Sequence, residues 1–162
     1  MLYSQDDLNN VCKMLKKRWW VTSVPAVAIL SAAIAIFVYG QLNRNDTLWM
    51  LTAALTVLGG GFFCFFYGVY VRPVRIYRKH LTYMLGGRMR STTGVYKSFA
   101  EDKSDREGLE CYAMLINVGD KDDPEDDRLF YYDAHKAKPS VPFGTRITVQ
   151  SNDKMVSAIE LA

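Results

Sequence analysis

The sequence predicts a small integral membrane protein in which a hairpin of two transmembrane helices precedes a small all-β domain. Two runs of 25 residues, 19–43 and 47–71, contain no charged side chain. An α-helix rises 1.5 Å per residue, so about 20 apolar residues cross a hydrocarbon core of ~30 Å. After Arg90 the apolar residues alternate with polar ones, which is the period of β-strands.

The two uncharged runs are predicted to form an antiparallel hairpin. The link between them, residues 41–46, is short and polar. The rest of the chain is too small to cover two such helices on all sides, so a pair of core helices in a soluble protein is excluded. Neither run has an ionisable residue at its centre, which argues against an ion pathway through the hairpin.

Lysine and arginine are distributed asymmetrically around the runs. Eight of them flank the hairpin on its terminal sides, whereas one lies in the link. Because positively charged flanks remain in the cytoplasm, we predict a multi-pass plasma-membrane protein with both termini cytoplasmic. The flanking residues are Lys13, Lys16, Lys17, Arg18, Arg72, Arg75, Arg78 and Lys79, and the residue in the link is Arg44.

Small side chains recur every fourth residue in the second run and form what we call the small-residue stripe. Such a stripe lets another helix approach closely. One interpretation is that Ala28, Ala32 and Ala35 of the first run fill it, and the other is contact with a second protein or a second copy of this chain. The stripe consists of Thr52, Thr56, Gly60, Cys64 and Gly68.

The hairpin is flanked by two helical segments. Residues 1–18 are predicted to be an amphipathic cytoplasmic segment whose helix is capped by Ser4. Residues 72–87 are predicted to be a basic juxtamembrane helix that ends at Gly86 and Gly87. Its cations are expected to attract acidic lipid headgroups. These predicted headgroup ligands are Arg72, Arg75, Arg78 and Lys79.

Residues 88–162 are predicted to be a soluble β domain, and the part from Arg90 is expected to fold alone. Five short strands suggest a small barrel of the OB or SH3 kind. Tyr112, Met114, Ile116 and Val118 are expected to share one face of their strand, and Ile147 and Val149 are expected to point inward. The charged residues 100–108 are expected to form a loop. The predicted strands cover residues 92–99, 109–118, 128–133, 146–150 and 155–161.

The charge of the chain differs between its two parts. Residues 1–90 carry 11 Lys and Arg against 3 Asp and Glu, a net charge of +8, and residues 91–162 carry 9 against 14, a net charge of −5. An acidic domain repels phosphate backbones. Nucleic acid is therefore not an expected partner, and the strand Leu129-Phe-Tyr-Tyr132, with its three aromatic residues, is interpreted as core.

An acidic loop lies between the predicted second and third strands. An EF-hand needs Gly and Glu at its sixth and twelfth positions, where this loop has Glu125 and Tyr131. A calcium site is therefore excluded, and the loop is interpreted as solvated or as a docking surface for a basic partner. Its carboxylates are Asp120, Asp122, Asp123, Glu125, Asp126 and Asp127.

No catalytic residue, metal or cofactor is predicted. The three cysteines are far apart and lack ligand spacing, and His80 and His135 are the only histidines. The chain has no nucleophile elbow, P-loop or zinc-protease motif. The sequence therefore predicts a protein that is not an enzyme.

The order of membrane helices, linker and five-stranded domain resembles the NfeD-type membrane proteins. The matching residues are Thr93-Gly94-Val95 at the start of the domain and residues 144–149, Gly-Thr-Arg-Ile-Thr-Val, before the last hairpin. The resemblance implies an OB-type tail that acts as an interaction module for membrane-scaffold proteins. It assigns no functional residue.

The predicted function is that of a membrane-anchored module that presents its β domain to a protein partner. One alternative is an accessory subunit of a transporter or protease complex that packs through the small-residue stripe, and another is a tail that binds nucleic acid or lipid. The expected partners are membrane lipid and a membrane or membrane-associated protein, or a second copy in a homodimer.

Overall fold

The chain folds into two compact units. The computed structural model describes residues 1–44, 47–119 and 123–162, so Asp46 in the link and Asp120 and Asp122 in the acidic loop lie outside the described residues. One unit is Asn10–Arg75, which we call the hairpin unit. The other combines Met1–Asn9 with Ile76–Ala162, and we call it the β unit.

Two continuous helices are long and apolar enough to cross a membrane. The first is α1, Gln5–Leu42. The second, Leu48–Gly86, is made of α2 (Leu48–Phe66), a π-helical turn (Tyr67–Val71) and α3 (Arg72–Gly86). In the most apolar 18-residue stretch of each helix, only 17% of the first and 6% of the second is buried inside the protein. The two predicted helices are therefore confirmed as candidate spans.

Small residues bring α1 and α2 together. Gly59 is the buried residue of α2, and a Cβ added there would lie 3.0 Å from Cγ2 of Ile29 on α1 and 3.3 Å from Leu30. Close packing of this kind is the main source of attraction between helices in lipid. The buried residues of α1 within the hairpin unit are Val11, Thr22, Ala26, Ala33 and Gly40.

The small-residue stripe does not face α1. A Cβ added at Gly60 or Gly68 would meet no atom within 4 Å, and Cys64 is exposed. The interpretation that Ala28, Ala32 and Ala35 fill the stripe is therefore wrong, and these three alanines are exposed. Successive residues of a helix are rotated by about 100°, so packing through Gly59 turns its neighbour Gly60 away.

A π-helical turn lies where the second uncharged run ends. Its wider winding appears in the bond from the Arg72 N–H to the carbonyl of Tyr67, five residues earlier. Arg18 donates from Nη1 to the Tyr70 carbonyl at 3.0 Å, and its guanidinium lies 4.5 Å from the centre of the Tyr70 ring. A cation thus ties the start of the first run to the end of the second.

Five strands are present, as predicted. The predicted loop at residues 100–108 is wrong, because β1 continues to Arg106 and pairs with β2 as far as Arg106↔Leu109. Glu107 and Gly108 form the tight turn, both with positive φ (56° and 82°), as two-residue hairpins require. The strands are β1 Arg90–Arg106, β2 Leu109–Asn117, β3 Asp127–Asp133, β4 Arg146–Asn152 and β5 Met155–Leu161.

The strands form a hydrogen-bonded ring in the order β1-β2-β3-β5-β4, and β4 pairs back with β1. The β3–β5 pair is parallel and rests on Tyr131↔Met155, and the other pairs are antiparallel. The inward positions predicted on β4 are confirmed. On the predicted face of β2, Met114 and Ile116 belong to the core, whereas Tyr112 and Val118 are half-buried. The core inside the ring consists of Tyr96, Met114, Ile116, Phe130, Tyr132, Ile147, Val149 and Val156.

Leucine substitutions at two adjacent glycines test the packing of the hairpin. Gly59→Leu is expected to destabilise it by about 1–3 kcal/mol, because the new side chain collides with Ile29. Gly60→Leu is the matched control, since it brings the same gain in helix propensity into open space. Thermal unfolding of the full chain in detergent measures the difference, and equal melting temperatures for the two variants would contradict this packing.

Candidate functional site

The N-terminal segment lies along the ring. The Leu2 N–H donates to the Ser157 carbonyl on β5 at 2.8 Å, and Tyr3 is only 5% exposed. Ser4 Oγ accepts from the Asp7 N–H at 3.1 Å, and Asp7 Oδ2 accepts from the Ser4 N–H at 3.0 Å. This reciprocal pair is a capping arrangement, so the predicted Ser4 cap is confirmed and α1 begins while still in contact with the β unit.

The C-terminal part of α3 is fixed to the same ring. Leu81 and Met84 are buried. The carbonyl of Tyr83 accepts from the Gly87 N–H at 2.8 Å and from Asn152 Nδ2, in the β4–β5 turn, at 3.1 Å. A side chain at Gly87 would collide with the Asn152 amide, so glycine is required where the chain leaves α3.

A buried polar cluster joins the N-terminal segment, α3 and β3. Asp133, at the end of β3, is 0% exposed. Its Oδ2 accepts from the Tyr77 hydroxyl of α3 at 2.9 Å, and its Oδ1 accepts from the His135 N–H at 2.8 Å. His80 Nε2 lies 3.1 Å from the Tyr3 hydroxyl. We call these five residues the Asp133 cluster.

Burial shifts the pKa of three members of the cluster. It raises the pKa of Tyr3 and of Tyr77, and the negative charge of Asp133 raises both further. The two hydroxyls therefore remain hydrogen-bond donors. Burial lowers the pKa of His80, although Asp133 opposes this shift, so the neutral ring fits the site.

The N-terminal segment is also held by an ion pair. Lys136 Nζ lies 2.7 Å from Asp7 Oδ2 and 5.4 Å from the centre of the Tyr3 ring. This hydrogen bond lowers the pKa of Asp7. The pair is partly exposed, so it contributes little stability by itself, and it closes the segment over the Asp133 cluster.

The Asp133 cluster contains one pair of side chains with a geometry that is also used in catalysis. The Asp133–His135 pair resembles an oriented base, with Nδ1 3.1 Å from Oδ1, but it needs a nucleophile. Cys111 is buried, and burial raises its pKa to about 11, so it stays a thiol. Within the described residues, no group of three or more His, Cys, Asp and Glu side chains is placed to hold a metal ion.

The predicted headgroup ligands begin α3, and all four are exposed. Arg75 donates from Nη1 to the Tyr67 hydroxyl at 2.8 Å, and Lys79 Nζ lies 5.7 Å from the centre of the Tyr83 ring. Arg72 and Arg78 project from the same helix. Binding of lipid headgroups by these four residues stays a prediction.

The described part of the acidic loop uses some of its carboxylates internally. Asp123 accepts from the Glu125 N–H at 3.0 Å and caps the 3₁₀ turn Pro124–Asp126. Asp127 accepts from Asn117 Nδ2 at 2.7 Å and from Lys97 Nζ at 3.2 Å, and these bonds lower its pKa. Glu125 is exposed, and docking of a partner on the loop stays a prediction.

Sequence reasoning did not find the Asp133 cluster. Its members are far apart in the chain: Tyr3 and His80 are separated by 77 positions, and Tyr77 and Asp133 by 56. No spacing rule connects residues at such distances. One signal was available: Asp133 directly follows a strand of aromatic residues that is predicted to be buried. A buried carboxylate needs hydrogen-bond donors around it, so its position indicates a polar cluster.

Comparison with known proteins finds no matching family model, no similar curated protein and no similar solved structure. The functional argument therefore rests on the geometry of this chain. The resemblance to the NfeD-type proteins stays a prediction.

The lowered pKa of His80 predicts a pH-dependent stability. The unfolded chain takes up a proton near the ordinary pKa of about 6.5 and the folded one only at lower pH. The neutral His80 ring therefore makes its full contribution to the free energy of unfolding above pH 6.5, and this contribution is lost as the pH falls below that value. Thermal unfolding of the full chain between pH 7.5 and 5.5 is expected to show this loss.

His80→Gln is expected to flatten this pH dependence, because the replacement does not titrate. The Asp7–Lys136 pair acts in a separate window, because its contribution is lost only as the pH falls through the lowered pKa of Asp7. Unchanged pH dependence in His80→Gln would contradict the assignment.

Proposed function

We propose that the protein is a non-enzymatic membrane-anchored interaction module that presents its β unit to a protein partner. The proposal rests on which segments of the chain make up the β unit. Met1–Asn9, which precedes the first uncharged run, and Ile76–Ala162, which follows the second, belong to one compact unit. The chain thus leaves this unit, passes through two candidate spans and returns to it.

This return supports the predicted topology. Segments that pack on one unit lie on the same side of a membrane, so the number of crossings between them is even, which agrees with two spans. The eight-to-one charge asymmetry assigns that side to the cytoplasm. The hairpin then anchors the β unit to the inner face of the plasma membrane through both of its attachment points.

The strand order favours an OB-type barrel as the form of the β unit. Its long first strand pairs with both β2 and β4, and β5 is parallel to β3. An OB-fold is a five-stranded, partly open Greek-key barrel, whereas an SH3-type barrel is built from antiparallel neighbours. This form also agrees with the proposed resemblance to the NfeD-type membrane proteins.

The topology is tested with introduced cysteines in a background in which Cys12 and Cys64 are replaced by serine. A membrane-impermeant thiol reagent is expected to label Asn43→Cys from outside intact cells, because Asn43 lies at the link. Ser104→Cys on β1 is expected to react only after the membrane is opened. The reverse labelling pattern would show that the β unit lies outside.

The partner is tested by photocrosslinking from the acidic loop in the native host. A photoreactive residue at Glu125 is expected to give one discrete crosslinked protein, whose yield falls at high salt because a basic partner is attracted by charge. The same residue at Lys103, an exposed position on β1, is the control. Equal crosslinking from both positions, or none from Glu125, counts against docking at the loop.

A second candidate function is that of an accessory subunit that packs into a membrane complex through the small-residue stripe. The open space around Gly60 and Gly68 favours it, because α1 leaves this face uncovered. The test is crosslinking at Cys64 in native membranes. Gly60→Leu is expected to abolish an intermolecular crosslink, whereas Gly61→Leu, which is also in open space, is expected to keep it; a crosslink unaffected by Gly60→Leu would exclude this assembly.

A further inference from the structure

Four cations converge on one groove of the acidic β unit. The groove has a volume of about 550 Å³ and lies where the first residues of β1 and β3 meet the β4–β5 turn. Its other lining residues include the hydroxyl-bearing Thr92 and Ser151. The four cations are Arg88, Arg90, Arg128 and Lys154.

The salt bridges of the described residues leave these four cations without a counter-ion. Within the described part of the chain, no carboxylate lies at ion-pair distance from any of the four, and Asp153 is the one acidic residue that lines the groove. Asp153 is already paired with Arg106, Nη2 to Oδ2, at 3.4 Å. The groove is therefore a concentrated positive charge in a domain whose net charge is negative.

The backbone holds two of the cations in place. Arg128 donates from Nη1 to the carbonyls of Glu125 and Asp127, at 3.2 and 3.3 Å. Lys154 lies in a two-residue turn with φ of 66°, next to Asp153 with φ of 45°. A lysine in this left-handed region is unusual, and such turns ordinarily carry glycine.

We propose that this groove binds a compact phosphate-bearing anion, either the headgroup of an acidic phospholipid or a soluble phosphate ester. Three arginines offer planar pairs of donors that match phosphate oxygens, and the lysine adds a point charge. The negative charge of the rest of the domain excludes a long polyanion. A single phosphate or diphosphate group fits this restricted positive area.

The full chain, reconstituted in phosphatidylcholine nanodiscs, is titrated with inorganic pyrophosphate by calorimetry. Saturable binding that weakens with salt is expected. Arg128→Gln and Lys154→Gly are each expected to weaken it at least about tenfold. Lys154→Gly is the decisive variant, because it removes the charge while relieving the backbone strain, so its thermal stability is not expected to fall. Arg146→Gln, at an exposed arginine on β4 outside the groove, is expected to bind normally.

A second arm distinguishes the source of the phosphate. The chain is reconstituted with phosphatidic acid and transferred to detergent, and retained lipid is counted by native mass spectrometry. Retention that is lost in Arg128→Gln and Lys154→Gly identifies a headgroup, and pyrophosphate binding in the first arm identifies a soluble ester. The proposal is overturned if neither ligand binds, or if Arg146→Gln weakens binding as much as the groove variants. Crosslinking from Glu125 tests the protein partner separately.

Discussion

The buried carboxylate of Asp133 is the constraint on which the β unit depends. A fully buried charge is costly unless donors surround it, and here the donors come from α3 through Tyr77 and from the following loop through His135. Tyr3 and His80 cover the same region from the N-terminal segment and α3. Satisfying one side chain of β3 therefore draws two distant segments of the chain onto the ring.

This arrangement determines what the rest of the molecule can do. Because both flanks of the hairpin belong to the β unit, the chain connects this unit to the hairpin at two points. The cation groove lies where Arg88 and Arg90 follow α3. The proposals of partner docking and of anion binding both concern surfaces of the β unit.

Much of the fold could be predicted from the sequence, because it follows from patterns among residues that are close together in the chain. The two uncharged runs and the alternation at Met114, Ile116, Ile147 and Val149 depend on near neighbours only. The extension of β1 to Arg106 was missed because its charged side chains are exposed on both faces of a two-stranded ribbon, so no apolar alternation marks it. The face of α2 that meets α1 was missed because adjacent glycines, Gly59 and Gly60, are equivalent in sequence and differ only in rotation. The Asp133 cluster and the cation groove depend on contacts between distant segments.

Hydrogen exchange of the full chain in nanodiscs, with and without Asp133→Ala, tests the central claim most directly. Without the carboxylate, Tyr77 and the His135 N–H lose their acceptor, and we predict that the amides of residues 1–9 and 76–86 lose protection together. Asp105→Ala, which removes an exposed carboxylate from the β1–β2 turn, should leave both segments protected. Loss of protection confined to β3 and the loop after it, with residues 1–9 and 76–86 unchanged, would contradict the account.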